Sequence, residues 1–452
     1  MQFARPQRPP DPDALFEKLR KLSSHQLPVV LDAASDERIR KTYPHWDDIR
    51  HLTPPEGVTA EEWWFAIKTQ RSGQYRSVPL RDKFGVPFRY WVPDLILELL
   101  HRIDREAGGV VQTSPEAITN PQTRDRYLIR SLVEEAITSS QLEGAVTTRE
   151  VAKEMIRSGR PPRDKSEQMI LNNYRTMQWI VEIQDREMSP ELVLEMHRKV
   201  TVNTLDDPDM AGQYRRPGQR IAVTDIEGEV YHDPPPAAEL PGRCQALCDF
   251  ANGKTPGFFI HPAVRAIMLH FWLAYDHPFV DGNGRTARAL FYWAMLRGGF
   301  WLFEFISIST ILRKAPGKYA RSFLHTETDD NDLTYFIVYQ TEVIQRALKE
   351  FSAYMDRKTA EMHELESSLR ALQLFNHRQT DLLRHGLKHS RSEYVIQGHQ
   401  QSHRVAYQTA RSDLLQLQAK GLLNMHKRGK QMVFTAPADL AARLRKMGRK
   451  MP

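Results

Sequence analysis

Apolar residues recur every three to four positions along most of the chain, the spacing of helices that bury one face against a core. The pattern predicts helices over residues 93–106, 124–142, 165–184, 190–203, 261–276 and 286–296, and a long one from about 332 to 374. Within 261–276 nearly every face is apolar, so this helix belongs at the centre of a bundle. His270 lies inside it with no carboxylate or thiol partner nearby in sequence, and reads as a hydrogen-bonded core histidine. Two β-prone runs, Gln219–Val223 and Val230–His232, flank a loop containing Gly228 and predict a hairpin that Asp233-Pro-Pro-Pro236 terminates. The expected fold class is mainly α, a helical bundle carrying one β-hairpin.

Residues 371–452 follow a different pattern. A helix over 376–383, a second over 402–417 ended by Gly421-Leu-Leu423, and a hairpin over 424–434 with a basic, glycine-containing tip spell a winged helix. This segment holds fifteen Lys/Arg against four Asp/Glu, a net +11, so the remainder carries −4 of the chain's +7. Concentrated basicity suits an acidic partner such as DNA. In that case His403, Arg404, Gln408 and Arg411 enter a major groove while Lys427, Arg428 and Lys430 meet phosphates. A winged helix that docks protein, with its charges solvated, fits the sequence equally well.

At 452 residues the chain exceeds a single core. Its composition divides it into an N-terminal helical region over 1–115 with a loose Pro-rich arm, a core over 116–370, and the basic segment 371–452. The aromatics of the first part, among them Trp46, Trp63, Trp64, Phe84 and Phe88, read as packing against the helical core rather than as a base-stacking surface. No long apolar run and no charged-then-apolar leader occurs, which predicts a cytoplasmic protein with no membrane span. Cys244 and Cys248, one helical turn apart, are too few for a zinc site and read as buried thiols in a reducing compartment.

The chemistry concentrates in His277-Pro-Phe279-Val-Asp281-Gly282-Asn283-Gly284-Arg285-Thr-Ala-Arg288. An imidazole base, a carboxylate, a glycine-rich turn and two guanidiniums stand at the start of an apolar helical run that ends at Gly298-Gly299. Helix N-termini collect anions through unpaired N–H groups, and glycines let backbone close around a phosphate. Arg285 and Arg288, three apart, share one face and can fork onto phosphate oxygens. Phe279 has no polar chemistry and should pack inward. The spacing is neither a dinucleotide fingerprint nor a P-loop.

Read as His-x-Phe-x-Asp-Gly-Asn-Gly-Arg-x-x-Arg, this stretch resembles the motif of the Fic (Fic/Doc) family at every position. Members of that family transfer the AMP part of ATP onto a Ser, Thr or Tyr hydroxyl of a protein. The resemblance implies a Fic-type helical bundle in which the hairpin, about 219–232, is a flap that presents the target hydroxyl. A hairpin that only covers the core remains the alternative. The resemblance further implies that His277 is the general base and Asp281 holds Mg²⁺. Gly282, Asn283 and Gly284 would cradle the phosphates, and Arg285 and Arg288 would neutralise the leaving pyrophosphate.

Upstream, Ser139-Ser-Gln-Leu-Glu143-Gly144 is similar to the inhibitory helix motif of some Fic proteins, here over about 124–144. That likeness implies that Glu143 takes Arg288 from the γ-phosphate. The C-terminal segment likewise resembles the winged helix of many bacterial Fic proteins, and a homodimer is compatible with the resemblance. Alternatives within this reading are removal of AMP, transfer of another phosphate-containing group, and a DNA-binding regulator that senses nucleotide through a Fic core.

Overall fold

The structure, a computed structural model, describes residues 5–20, 23–108, 121–219, 221–224, 230–372, 375–388, 392–429 and 431–448. The chain divides into two compact units, residues 1–351 and 352–452. The centre of the first is a pair of helices, Pro262–Asp276 and Asn283–Arg297, packed on each other. Pro262 sits at the first helical position, and the His261 side chain accepts the Ala263 N–H, so the start is well capped. From Ala263 to Leu273 every residue except Arg265 is buried. The helices Pro121–Leu142, Lys165–Ile183 and Pro190–Thr201 pack on Asn283–Arg297. The fold is mainly α, as the apolar spacing predicts. Among the described residues no helix is long and apolar enough to cross a membrane.

His270 is fully buried, and its Nε2 lies 2.8 Å from the Tyr319 hydroxyl. Cys244 and Cys248 are buried and unpaired with one another by any disulfide. Trp63, Trp64 and Phe88 are also buried, whereas Phe84 is 80% exposed.

Phe84 caps a two-stranded hairpin that the apolar pattern does not announce, β1 (Arg76–Arg81) with β2 (Pro87–Tyr90). Pro79 within β1 and the scattered arginines Arg76, Arg81 and Arg89 hide its alternation. The expected second hairpin pairs β3 (Val223–Thr224) with β4 (Val230–His232) in antiparallel register. Its loop with Gly228 lies outside the described residues, as does Arg220. Lys83 at the first hairpin's tip bonds Asp233 just beyond β4 at 2.8 Å, which ties the two hairpins together.

The second unit contains the helix His377–Lys388, strand β5 (Glu393–Val395), helices Ile396–His403 and Tyr407–Ala419, and strands β6 (Asn424–Arg428) and β7 (Gln431–Thr435). The sheet order is β5-β7-β6, over a core in which Leu383, Leu414, Leu417 and Phe434 are fully buried. One expectation needs correction. The single helix over 402–417 is two helices, because Arg404 adopts a left-handed conformation (φ 50°) that caps the first. His403 and Arg404 therefore precede the helix that carries Gln408 and Arg411.

Candidate active site

The Pro262–Asp276 helix ends at His277, which takes a left-handed conformation (φ 45°, ψ 55°) and donates its N–H to Leu273 O at 3.1 Å. The ring Nδ1 lies 3.2 Å from the Ala274 carbonyl. A carbonyl only accepts, so Nδ1 carries the proton and Nε2 keeps its lone pair. Burial pushes the pKa of this imidazole down to about 4, which leaves a neutral ring at pH 7.

From His277 the chain turns through Phe279, which is fully buried and stacked on His197 (centroids 3.7 Å apart, planes at 3°). His197 stands on the Pro190–Thr201 helix and escapes notice in the sequence. Its Nδ1 accepts the Gly212 N–H and its Nε2 donates to Asp281 O, both at 2.9 Å, so its neighbours fix its tautomer. Burial lowers its pKa to about 4, in keeping with a neutral structural ring. Gly282 follows in a left-handed conformation (φ 84°), and a Cβ there would come within 2.6 Å of Thr201 Cγ2. Both the conformation and the close approach demand glycine.

Gly282 also sets the start of the next helix. Thr286 N–H makes the first intrahelical bond, to Gly282 O at 3.0 Å, so the helix begins at Asn283 rather than near 286. The N–H groups of Asn283, Gly284 and Arg285 thus form its open first turn. The Asn283 side chain bonds the backbone of Phe279 twice, at 2.9 and 2.8 Å, and closes the loop. What Asn283 offers an anion is its backbone N–H.

Two buried guanidiniums line this terminus. Arg285 donates to Val200 O at 2.7 Å, with the Asp281 carboxylate 3.8 Å away. Its Nε and Nη2 have no hydrogen-bond partner among the described residues, and burial lowers its pKa. Arg288 is fully engaged: Nε donates to Ser139 Oγ (2.7 Å), and Nη2 donates to Ser139 O (3.0 Å) and Glu143 Oε1 (2.8 Å). Sequence positions 145 residues apart meet here. A Cβ on Gly284 would lie 2.1 Å from Glu143 Oε1, so this carboxylate sits against the first helical turn. Burial raises its pKa, but Arg288, then Arg285 and His277, outweigh that and hold it below the usual carboxylate value. Asp281 keeps an exposed side chain, one oxygen accepting the Gly282 N–H at 2.5 Å.

Glu135, one helical turn before Ser139, is another residue that sequence reasoning misses. Its buried carboxylate accepts from Tyr292 Oη (2.9 Å), Ser307 Oγ (2.8 Å), Ser309 N (3.1 Å) and Ser309 Oγ (2.5 Å). These bonds fasten the Pro121–Leu142 helix, which ends just before Glu143, to Tyr292 on the motif helix and to the start of the Ile308–Lys314 helix. Among the described residues no cluster of three His, Cys, Asp or Glu is arranged for a metal ion.

Inside the helical bundle, a neutral imidazole thus stands beside an open helix start. The Fic/DOC family profile matches residues 187–295, and the chain carries a Fic domain. It is 37% identical over 108 residues to the Protein adenylyltransferase Fic of Nematostella vectensis, covering 24% of this chain and 23% of that protein. It is 32% identical over 121 residues to the protein of the same name from Drosophila willistoni, covering 26% of this chain and 22% of the relative. The chain thus spans less than a quarter of the length of these curated relatives. Its fold is similar to that of a Fic family protein from Desulfovibrio desulfuricans G20, with a TM-score of 0.55 at 19% identity over 76% of this chain and 95% of the other.

Proposed function

We propose that this protein transfers AMP from ATP to a Ser, Thr or Tyr hydroxyl of a target protein, with Glu143 as its restraint. The observation that carries this reading is the neutral His277, its Nε2 lone pair free of the Nδ1 bond, next to an open helix N-terminus flanked by two buried arginines. In the step, His277 Nε2 takes the hydroxyl proton as the oxygen bonds to the α-phosphorus. The bond from that phosphorus to the bridging oxygen breaks, and pyrophosphate leaves with the electron pair. Arg285, Arg288 and the N–H groups of residues 283–285 meet its charge. Asp281, a lone exposed carboxylate, suits Mg²⁺, which is commonly held by one or two carboxylates together with substrate phosphates and would neutralise their charge. The β3–β4 hairpin offers a strand edge to the target's backbone.

Restraint follows from space and charge. While the Glu143 carboxylate rests against Gly284 and holds Arg288, a terminal phosphate has neither the volume nor the guanidinium. Incubating the protein with α-labelled ATP tests both parts. Label should pass covalently to protein, rise strongly in Glu143→Gly, and fall about 10²–10⁴-fold when His277→Ala is added. No label in Glu143→Gly sinks the transfer reading, and label unchanged from wild type sinks the restraint. The mass added to the target separates AMP from any other group, and loss of label from a premodified target would reveal removal instead.

A second reading concerns residues 371–452, with 1–115 and 116–370 as the remaining divisions. The order helix, strand, helix, helix, strand, strand supports a winged helix, and β6 with Lys427 and Arg428 is exposed throughout. We propose DNA as its partner, met by Gln408 and Arg411 on one helix, Arg404 in the turn before it, and Lys427 on the wing, with protein docking by the same unit as the equal alternative.

A further inference from the structure

We propose that Arg215, in the segment leading to β3, and His232, at the end of β4, are positioning residues for His277, and that His232 acts as an imidazolium. The catalytic part of this proposal rests on the transfer reading above; the protonation state of His232 does not.

His277 holds a left-handed conformation although it carries a Cβ, a strain that persists only where surroundings impose it. The turn also leaves carbonyls of the helix end unpaired by the helix itself. Donors for the carbonyls around this turn come from Arg215, ahead of β3, and from His232 of β4. Arg215 N–H bonds Pro278 O at 2.9 Å, and Arg215 Nε bonds His277 O at 3.0 Å. Another guanidinium nitrogen of Arg215 bonds Pro235 O, which ties the segment before β3 to the one after β4. From the far stem, His232 Nε2 lies 2.7 Å from Tyr275 O. The carbonyls of Tyr275, His277 and Pro278 around the base are thus clamped by the His232 ring, the Arg215 guanidinium and the Arg215 backbone N–H, and cations at a helix C-terminus complement its dipole.

The second nitrogen of His232 fixes its charge. Nδ1 lies 2.7 Å from Glu327 Oε2, on the Pro316–Thr328 helix. A carbonyl and an ionised carboxylate both accept only, so each ring nitrogen must carry a proton. Losing one proton turns one contact into lone pair against lone pair and opens one jaw of the clamp. The titratable groups facing this ring are Glu327, Asp276, the Tyr275 phenol and the neutral His277. Asp276 is already held by Arg243 at 2.7 Å and by the Trp272 indole at 3.0 Å, which leaves Glu327 as the counter-ion. Burial lowers the His232 pKa, but Glu327 and the Tyr275 carbonyl outweigh it, and the net direction is upward. The sign follows: the clamp is complete below the ordinary histidine value of about 6.5 and is lost as pH rises through the higher folded value. A cationic His232 also disfavours protonation of His277, which keeps the base in its working form.

The test uses the full chain with ¹³Cε1-labelled histidines, resonances being identified by their loss in His232→Gln and His277→Ala. The expected His232 midpoint lies above about 6.5 in wild type and moves to lower pH in Glu327→Gln. The His277 resonance should shift at the His232 midpoint, and that shift should vanish in His232→Gln. A His232 already neutral at pH 6.5, a midpoint unmoved by Glu327→Gln, or a His277 resonance blind to His232 would each overturn the proposal. In the Glu143→Gly background, the alkaline limb of kcat should move to lower pH with Glu327→Gln, while KM for ATP holds. A loss equal at every pH would reduce His232 to packing and also overturn it. Absence of transfer at all pH values would instead count against the functional reading, and the resonances would still decide the clamp.

Discussion

Gly284 and Glu143 compete for one volume. With a Cβ at 284 only 2.1 Å from Glu143 Oε1, Gly284→Ala must evict the carboxylate or shift the helix start, at a cost of about 1–3 kcal/mol. In Glu143→Gly the obstruction is gone, and alanine is the better helix former by roughly 0.5–1 kcal/mol. Gly284→Ala should therefore lower the melting temperature of the wild type and raise that of Glu143→Gly. Equal effects in both backgrounds would mean the two groups do not meet. Acid titrates the same contact. Because Glu143 is held below its ordinary value, the clasp contributes in full above about pH 4.5 and fades as pH falls through the lower folded value. The melting gap between wild type and Glu143→Gln, about 1.5–3 kcal/mol for a hydrogen bond to a charged group, should close only in that acid range.

At the scale of elements, the Pro121–Leu142 helix matters through what fastens it as much as through what it carries. Glu135 is a buried hub for three side chains and one backbone N–H, so Glu135→Gln turns one acceptor oxygen into a donor facing donors. The helix should loosen, lowering the melting temperature by several degrees and raising self-labelling toward that of Glu143→Gly. A destabilised protein with unchanged labelling would separate the hub from the restraint. The sequence announces Glu143 through its spacing from Ser139 and Gly144, and the motif loop through its glycines. Glu135, His197, Arg215 and His232 bear no such mark, because their roles come from partners 43 to 174 residues away. Left-handed residues with side chains are equally silent: His277 ends one helix and Arg404 splits another, with no glycine to signal either.

Across the whole molecule, the mainly α class and the paired central helices were legible from apolar spacing alone, because burial on nearly every face leaves a continuous pattern. The β1–β2 hairpin was not, since its strands are short, polar and interrupted by proline. Charge is likewise legible only as a total. Residues 371–452 carry the basic excess, yet Arg428 bonds both oxygens of Glu393 and Arg378 bonds Asp413, so part of that charge is already answered within the unit. If DNA is the partner, exposed and uncommitted cations should dominate. Each phosphate neutralised steepens the dependence of log K on log salt by about 0.9. Lys427→Ala should flatten the slope measured by anisotropy on a duplex by about that amount, whereas Arg428→Ala, which first has to leave Glu393, should change it less. Binding by the full chain that is indifferent to salt between about 50 and 200 mM would remove DNA as the partner and leave a protein-docking surface in its place.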